Sequence, residues 1–215
     1  MATHILTNIN SITNNFLAEL RDINIQKDSW RFRKNLERLS MVMAVELSKT
    51  LNYQTKETET PLGVSASNLL ADSIVVASIL RAGIPMHNGF LEVFDQAESA
   101  FVSAQRKVHK TGNFDIELSK VSAPDLSDKV LVLCDPMLAT GASIDVAIQA
   151  LKEYGTPASI HICAAIGSRA GKEHIERLYP DAQLWIGDLD EELTGKSYIV
   201  PGLGDAGDLA FGQKI

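Results

Sequence analysis

Apolar residues along the chain follow two different spacings. Between Trp30 and Leu51 they recur at steps of three and four, with Phe32, Leu36, Leu39, Met43 and Leu47 on one stripe. That pattern predicts an amphipathic helix. Asp28 or Ser29 is suited to cap it, because a side-chain oxygen there can accept a first-turn N–H. The Thr/Glu-rich stretch Thr55 to Thr60, followed by Pro61-Leu62-Gly63, has the make-up of a connection. Ile74 to Ile79 is short and β-branched, with Gly83 and Pro85 soon after, and predicts a buried strand. Phe101 to Ala104 predicts another, followed by a basic, Gly-containing stretch from Arg106 to Asn113 expected as a mobile loop or hairpin.

Lys129 to Cys134 is the clearest strand; it stops at Asp135-Pro136, and helical spacing resumes with Ile144, Ala147, Ile148 and Leu151 before Gly155. Ile160 to Ile166 predicts a strand, Arg169 to Leu178 a helix, and Leu184 to Ile186 a further strand. Strands alternating with helices imply parallel pairing through crossover helices, and near-continuous apolar strands imply a sheet covered on both faces. The expected architecture is α/β, a central parallel sheet flanked by helices. Residues 1–215 form one domain, with residues 1–60 as an N-terminal helical part and 190–215 as a C-terminal extension. Ligands in such sheets bind beyond the C-terminal strand ends, so the loops after Ile79, Cys134 and Ile166 are where chemistry is sought.

Composition narrows this only a little. Of 215 residues, 45% are hydrophobic and 22% charged, as in an ordinary globular domain long enough to bury a core without disulfides or metal staples. A net charge of −7 argues against a dedicated nucleic-acid binder, yet leaves room for a local phosphate site. Cys134 and Cys163 lie in apolar runs and are expected as buried free thiols. Residues 1–15 lack the apolar core of a signal peptide, and no apolar stretch reaches the roughly 18–20 residues that span a bilayer. A cytoplasmic protein without a membrane partner is expected.

The run Asp135-Pro136-Met137-Leu138-Ala139-Thr140-Gly141-Ala142-Ser143 joins a predicted strand to a predicted helix. Its small residues let the backbone approach a ligand, Gly141 tolerates positive φ, and the opening helix offers unpaired N–H groups and a positive dipole end to a phosphate. Thr140 and Ser143 add hydroxyl donors. Asp135, being negative, is better matched to sugar hydroxyls or to a metal than to the phosphate. No lysine follows Gly141 as a Walker loop requires, and the dinucleotide pattern Gly-x-Gly-x-x-Gly is absent. These residues by themselves leave a nucleotide or sugar-phosphate site and a plain strand-to-helix turn both open.

The run resembles the phosphoribosyl pyrophosphate (PRPP) loop of the phosphoribosyltransferases, and in its Asp-Pro-Met-Leu-Ala-Thr-Gly form it is similar to the uracil phosphoribosyltransferase family. Tyr198-Ile199-Val200-Pro201-Gly202-Leu203-Gly204-Asp205-Ala206-Gly207-Asp208 resembles that family's base-binding segment, and Ile79-Leu80-Arg81-Ala82-Gly83 its pyrophosphate-side loop. The three occur in family order, and weaker similarity runs from about Arg31 to Gly212.

The resemblance implies a type I phosphoribosyltransferase fold and a Mg²⁺-assisted displacement in which a base nitrogen attacks the anomeric carbon of PRPP and pyrophosphate leaves. It implies that Ala139 to Ser143 hold the 5′-phosphate within a PRPP-binding run from Asp135 through Pro136, Met137 and Leu138. Asp135 would meet the ribose hydroxyls, and Arg81 the pyrophosphate. Arg106 would belong to a mobile loop over the pyrophosphate, although Gln105, Lys107, Val108, His109 and Lys110 depart from the family's acid-containing pattern there. Ile199, Gly204, Asp205 and Ala206 would contact uracil, with Asp205 also near a Mg²⁺ that arrives with PRPP and is not held by protein alone. Asp135, Arg81 and Asp205 are thus the implied catalytic residues. A homo-oligomer, dimer or tetramer, is implied, while activation by GTP is left open.

Ala142 in place of a second glycine, Pro85, and Leu209-Ala210 in place of a basic and apolar pair are departures from the family pattern. Two competing functions share the fold: a pyrimidine-operon RNA-binding regulator, opposed by the net charge and the intact base segment, and a phosphoribosyltransferase for another base, such as a purine, opposed by Pro201 to Gly207. An inactive paralogue is opposed by the retained Asp135, Thr140, Arg81 and Asp205. The acidic run Asp188, Asp190, Glu191 and Glu192 is expected as a solvated turn rather than a metal site.

Overall fold

A computed structural model describes residues 1–108 and 114–214, with side chains given outside 105–117. In chain order the elements are β1 (Ala2–Ile5), α1 (Thr13–Arg21), α2 (Ser29–Ser48), β2 (Tyr53–Thr60), β3 (Gly63–Leu70), β4 (Ile74–Leu80), α3 (Ile84–Leu91) and β5 (Glu98–Val108). Then come β6 (Phe114–Ser122), β7 (Val130–Cys134), β8 (Met137–Leu138), α4 (Ala142–Leu151), β9 (Ser159–Ser168) and α5 (Arg169–Leu178). The chain ends with β10 (Gln183–Asp190), β11 (Glu192–Leu193), β12 (Ile199–Val200) and α6 (Ala206–Phe211).

The main sheet runs β1-β10-β9-β7-β4-β5-β6, with β8 pairing beside β9. Every pair in it is parallel except β5–β6, which is antiparallel, so the sheet is mixed rather than wholly parallel. Burial on both faces explains the continuous apolar runs. In β4, Val75 and Ala77 face α4 and α5, while Ile74 and Val76 face α2 and α3; in β7, Leu131 and Leu133 alternate in the same way with Val132 and Cys134. On one side Leu36, Leu39, Met43, Met86 and Phe90 are fully buried, and on the other Ile148, Leu151 and Ile175. Both cysteines are buried and free, and burial pushes their thiols up in pKa, which leaves them inert.

The predicted α2 forms with Asp28 as its cap: its carboxylate accepts the Trp30 and Arg31 amides at 3.0 and 3.1 Å, a contact type worth about 1 kcal/mol. Pro85 sits in the first turn of α3, where a missing N–H costs nothing. Helix α4 ends at Leu151 and tightens into a 3₁₀ turn before Gly155, whose φ of +128° closes it.

Two local expectations need correction. Thr55 to Thr60 is not a connection; it is β2, paired with β3 from Tyr53↔Leu70 to Thr60↔Gly63. Every residue of β2 is exposed, so no buried face imposed an apolar alternation that would have marked it. Residues 1–60 are accordingly not all helical, and the polar N-terminus also supplies β1, an edge strand beside β10. There His4 stacks on Trp185 with ring centroids 3.9 Å apart, a long-range contact that no local pattern announces. The stretch from Arg106 begins as the end of β5, paired in a hairpin with β6; residues 109–113 and the Arg106 side chain lie outside the described set.

From β4 the chain proceeds to β5 and β6 on one side, then crosses to β7 on the other and continues to β9 and β10. The strand order therefore reverses between β4 and β7. A crevice opens beyond the C-terminal ends of strands at such a point.

Candidate active site

Asp135 follows β7 directly, at that crevice. Its amide donates to the Cys163 carbonyl at 3.1 Å, and its Oδ1 accepts the Met137 N–H at 3.3 Å. Burial pushes its carboxyl up to about 7; the Met137 N–H opposes the rise and Asp205, in the same cleft, adds to it. A carboxyl poised there can accept hydrogen bonds from hydroxyls without a fixed counter-ion.

Beyond Asp135 the chain turns into α4 through Gly141, which caps the helix with φ +84° and ψ −9°. A side chain at that position would be strained, and its Cβ would stand 3.0 Å from Ile175 and 3.1 Å from His174. The Thr140 hydroxyl accepts the Ala142 N–H at 3.4 Å. The first turn of α4, with its N–H groups lacking intrahelical partners, opens on the cleft that Ser143 and Ile144 line. Helix α5 braces this loop from behind. The buried Ser168 hydroxyl accepts the Gly171 N–H at 2.9 Å and donates to the Ala139 carbonyl at 2.5 Å. Gly171 is obligatory here, since a Cβ would run into the Ala139 carbonyl.

The opposite wall comes from the C-terminal segment. Ile199, Gly204, Asp205, Ala206 and Gly207 face Asp135, Met137, Ala139 and Thr140 across a cleft of about 280 Å³. Asp205 caps α6, accepting the Asp208 N–H at 2.9 Å. Ser197 and Tyr198 complete this wall, and Ala82 closes the side beside β4.

The remaining residues singled out in the sequence lie at the margin. Pro136 and Leu138 are buried, Leu138 within the core beside α4, and Ala142 is the first residue of α4; none of them lines the cleft. Arg81 pairs through Nη2 with Asp208 at 2.9 Å and donates to the Gly212 carbonyl, while its Nε is buried without a hydrogen-bond partner. With α6 packed against it, its nearest anion is a carboxylate of the protein, although a Cβ on Gly207, which lines the cleft, would lie 3.7 Å from Nε. Leu209 and Ala210 belong to α6, whose end is anchored by Arg33: Nη1 donates to the Ala210 carbonyl at 2.6 Å, and the guanidinium sits over the Phe211 ring.

The acidic run is a solvated turn only at its exposed end, Glu191 and Glu192. Asp188 and Asp190 both grip Arg21 at 2.8 Å, and Asp190 is only 6% exposed. Proximity to Arg21 overrides the tendency of carboxylates to seek water. Glu191 instead pairs with Arg169 at the surface.

A family model described as uracil phosphoribosyltransferase matches residues 9–213. This chain belongs to the uracil phosphoribosyltransferase family. A curated uracil phosphoribosyltransferase from Porphyromonas gingivalis is 48% identical over 206 residues, covering 95% of each chain. One from Thermococcus gammatolerans is 38% identical over 202 residues, covering 93% of this chain and 88% of that one. Among solved structures, a protein of Aquifex aeolicus superposes with a TM-score of 0.87 at 29% identity over 98% of both chains. A hypoxanthine phosphoribosyltransferase from Staphylococcus aureus, at 10% identity and a TM-score of 0.50 over 86% of this chain and 84% of its own, shares the fold. The fold is thus the type I phosphoribosyltransferase fold, and the family match spans the whole site, from the turn at Arg81 after β4 to α6.

Sequence reasoning missed Ser168, Gly171, Arg21 and Asp190 as supports of the site. A serine just before the predicted helix at Arg169 was a legible cap signal. The Arg21 contacts had none.

Proposed function

We propose that the protein joins uracil to the ribose of PRPP, releasing pyrophosphate and forming UMP. The reading is carried by one observation: the loop from Asp135 to Ser143 and the segment from Ile199 to Ala206 form the two walls of a single cleft at the switch point. Family membership names the substrate class.

In this reading the first-turn amides of α4, with Thr140 and Ser143, receive the 5′-phosphate, and Asp135 accepts hydrogen bonds from the ribose hydroxyls. The glycine-bearing wall at Gly204 and Ala206 lets backbone groups follow the O, N–H, O edge of a pyrimidine. The base nitrogen forms its bond to the anomeric carbon as the carbon–oxygen bond to pyrophosphate breaks, and the nitrogen's proton passes to solvent. Positive charge grows on the ribose ring and negative charge on the leaving group, so catalysis comes from positioning and electrostatics. Asp135, ionised above about pH 7 in the free cleft, supports the ring charge. Arg81, exchanging Asp208 for diphosphate oxygens, supports the leaving group.

The donor set suits Mg²⁺. Two carboxylates, Asp135 and Asp205, line the cleft, and no cluster of three or more His, Cys, Asp or Glu residues fit to hold a metal occurs among the described residues. Such a pair fits a cation that enters with substrate phosphates rather than one caged by protein. Bound with PRPP, the ion would neutralise charge on the departing pyrophosphate.

The same reading includes a role in pyrimidine salvage, a cytoplasmic location and a homo-oligomer, with GTP as a candidate effector. Family resemblance supports these. Among the described residues no helix is long and apolar enough to cross a membrane. The decisive experiment is pyrophosphate release from PRPP and Mg²⁺ with uracil, cytosine, hypoxanthine, guanine or adenine offered singly, with and without GTP. Release with uracil alone, giving UMP, is expected. Release with a purine would overturn the assignment of residues 198–208, and no release with any base would favour the RNA-binding regulator.

A further inference from the structure

The wall that faces the base has little regular structure of its own. Among the described residues its only ladder is the two-residue pairing of β11 with β12, and α6 beyond it has six residues. Between them, Gly202 turns back sharply with φ +59°, and a Cβ there would collide with the carbonyl of Ile199. Gly202 does not line the cleft; it sits behind Ile199 and Gly204, which do.

Both backbone groups of Gly202 are held by distant side chains. Its N–H donates to Asp190 Oδ2 at 2.9 Å, and its carbonyl accepts from Arg21 Nη1 at 2.8 Å. The same Nη1 donates to Asp190 Oδ2 at 2.8 Å, and Nη2 donates to Asp190 Oδ1 and Asp188 Oδ2, each at 2.8 Å. One guanidinium at the end of α1 and one carboxylate at the end of β10 therefore close a ring around a single residue, holding the peptide groups on both sides of its Cα. Asp190 is almost fully buried, so this ring is weakly screened by water. The α1 end is itself tied in: the Arg21 carbonyl accepts from Gln26 Nε2 at 3.0 Å, and Gln26 Oε1 would lie 3.9 Å from a Cβ on Gly204.

We propose that Arg21 and Asp190 are positioning residues for the base: their clasp on Gly202 sets how far Ile199 and Gly204 project into the cleft, and so the slot in which uracil is held. A flexible glycine turn would otherwise leave that wall free to shift, and a displacement of about 1 Å can cost on the order of 100-fold in rate. Arg21 is required as arginine because only a planar fork reaches Gly202 and Asp190 together; a lysine keeps the charge and loses the geometry. Asp188 shares the ion pair but does not touch Gly202.

This inference rests on the assignment of residues 199–206 to the base, and the test separates the two. Steady-state kinetics would be measured for wild type, Arg21→Lys, Arg21→Ala, Asp190→Asn and Asp188→Asn, varying uracil and PRPP independently and recording melting curves. With wild type active on uracil, Arg21→Lys and Asp190→Asn should lower kcat/KM for uracil roughly 10- to 100-fold and leave the KM for PRPP within about 2-fold. Asp188→Asn should behave as wild type, and millimolar guanidinium should restore uracil kcat/KM to Arg21→Ala. Uracil and PRPP parameters moving together, uracil kinetics that do not move, or loss of cooperative melting in both Arg21→Lys and Asp190→Asn would each overturn the clasp as a base-positioning device. A wild type that fails to use uracil would instead overturn the functional reading beneath it.

Discussion

Asp135 carries opposite demands from stability and from function, and replacing it with asparagine separates them. In the free protein its carboxyl is pushed from 3.8 up to about 7, chiefly by burial, with Asp205 adding to the rise. A carboxyl that holds its proton more tightly when folded contributes stability that is fully present below pH 3.8, where it is protonated in both states. That contribution is lost as the pH climbs through 7, where the fold must bury a charge. The interval from 3.8 to about 7 sets a ceiling of roughly 4 kcal/mol at about 1.4 kcal/mol per pKa unit. Asp135 is not wholly closed off from solvent, and we expect about 1–2 kcal/mol of this to be realised. Asparagine has the same shape, keeps an oxygen for the Met137 N–H and does not titrate. Melting curves of wild type and Asp135→Asn should coincide near pH 4 and separate as the pH rises. At pH 8 the variant should melt higher by roughly 2–8 °C, at about 2–4 °C per kcal/mol for a chain of this size. The same variant should lose most of its turnover, about 100-fold or more, if the carboxylate supports the ribose in the transition state. A melting difference independent of pH would refute the burial argument, and near-wild-type kinetics would refute the assigned role.

Gly141→Ala forces an L side chain into φ +84° and against Ile175 and His174, at a cost of about 1–2 kcal/mol; thermal melting should fall and the KM for PRPP rise, while the uracil KM changes less. Ser168→Ala removes one hydroxyl that both caps α5 and holds the Ala139 carbonyl, so about 1–2 kcal/mol of stability should be lost in denaturant titration, again with PRPP affinity the more affected of the two substrates. Chelation with EDTA should abolish pyrophosphate release and leave the melting temperature of the substrate-free protein unchanged, because the two cleft carboxylates are expected to meet the ion only in company with PRPP; a lower melting temperature on chelation would point to a resident metal instead.

The elements legible in the sequence are those whose burial is written into local periodicity. Helix α2 buries a stripe at three- and four-residue steps, and β4, β7 and β9 are covered on both faces. The strand–loop–helix through Asp135 and Gly141 was readable because its chemistry is local: a strand end, a glycine at positive φ and a helix start lie within nine consecutive residues. By contrast β2 is exposed along its whole length and β1 is a short edge strand, so neither carries an apolar signature.

The sequence by itself determined the α/β layering, the phosphate-type loop and the segments that resemble a base wall, since each depends on neighbours a few residues apart. Tertiary structure decided which of these meet. It brought the loop after β7 and the segment before α6 to one cleft by reversing strand order between β4 and β7. It turned Asp188 and Asp190 from an apparent solvated turn into partners for Arg21, with Asp190 buried and 169 residues away in sequence. It also placed Arg81 against Asp208 on α6. Charges pair with whatever the fold carries to within hydrogen-bonding distance, and that distance is set by packing of the whole sheet, which no local pattern encodes.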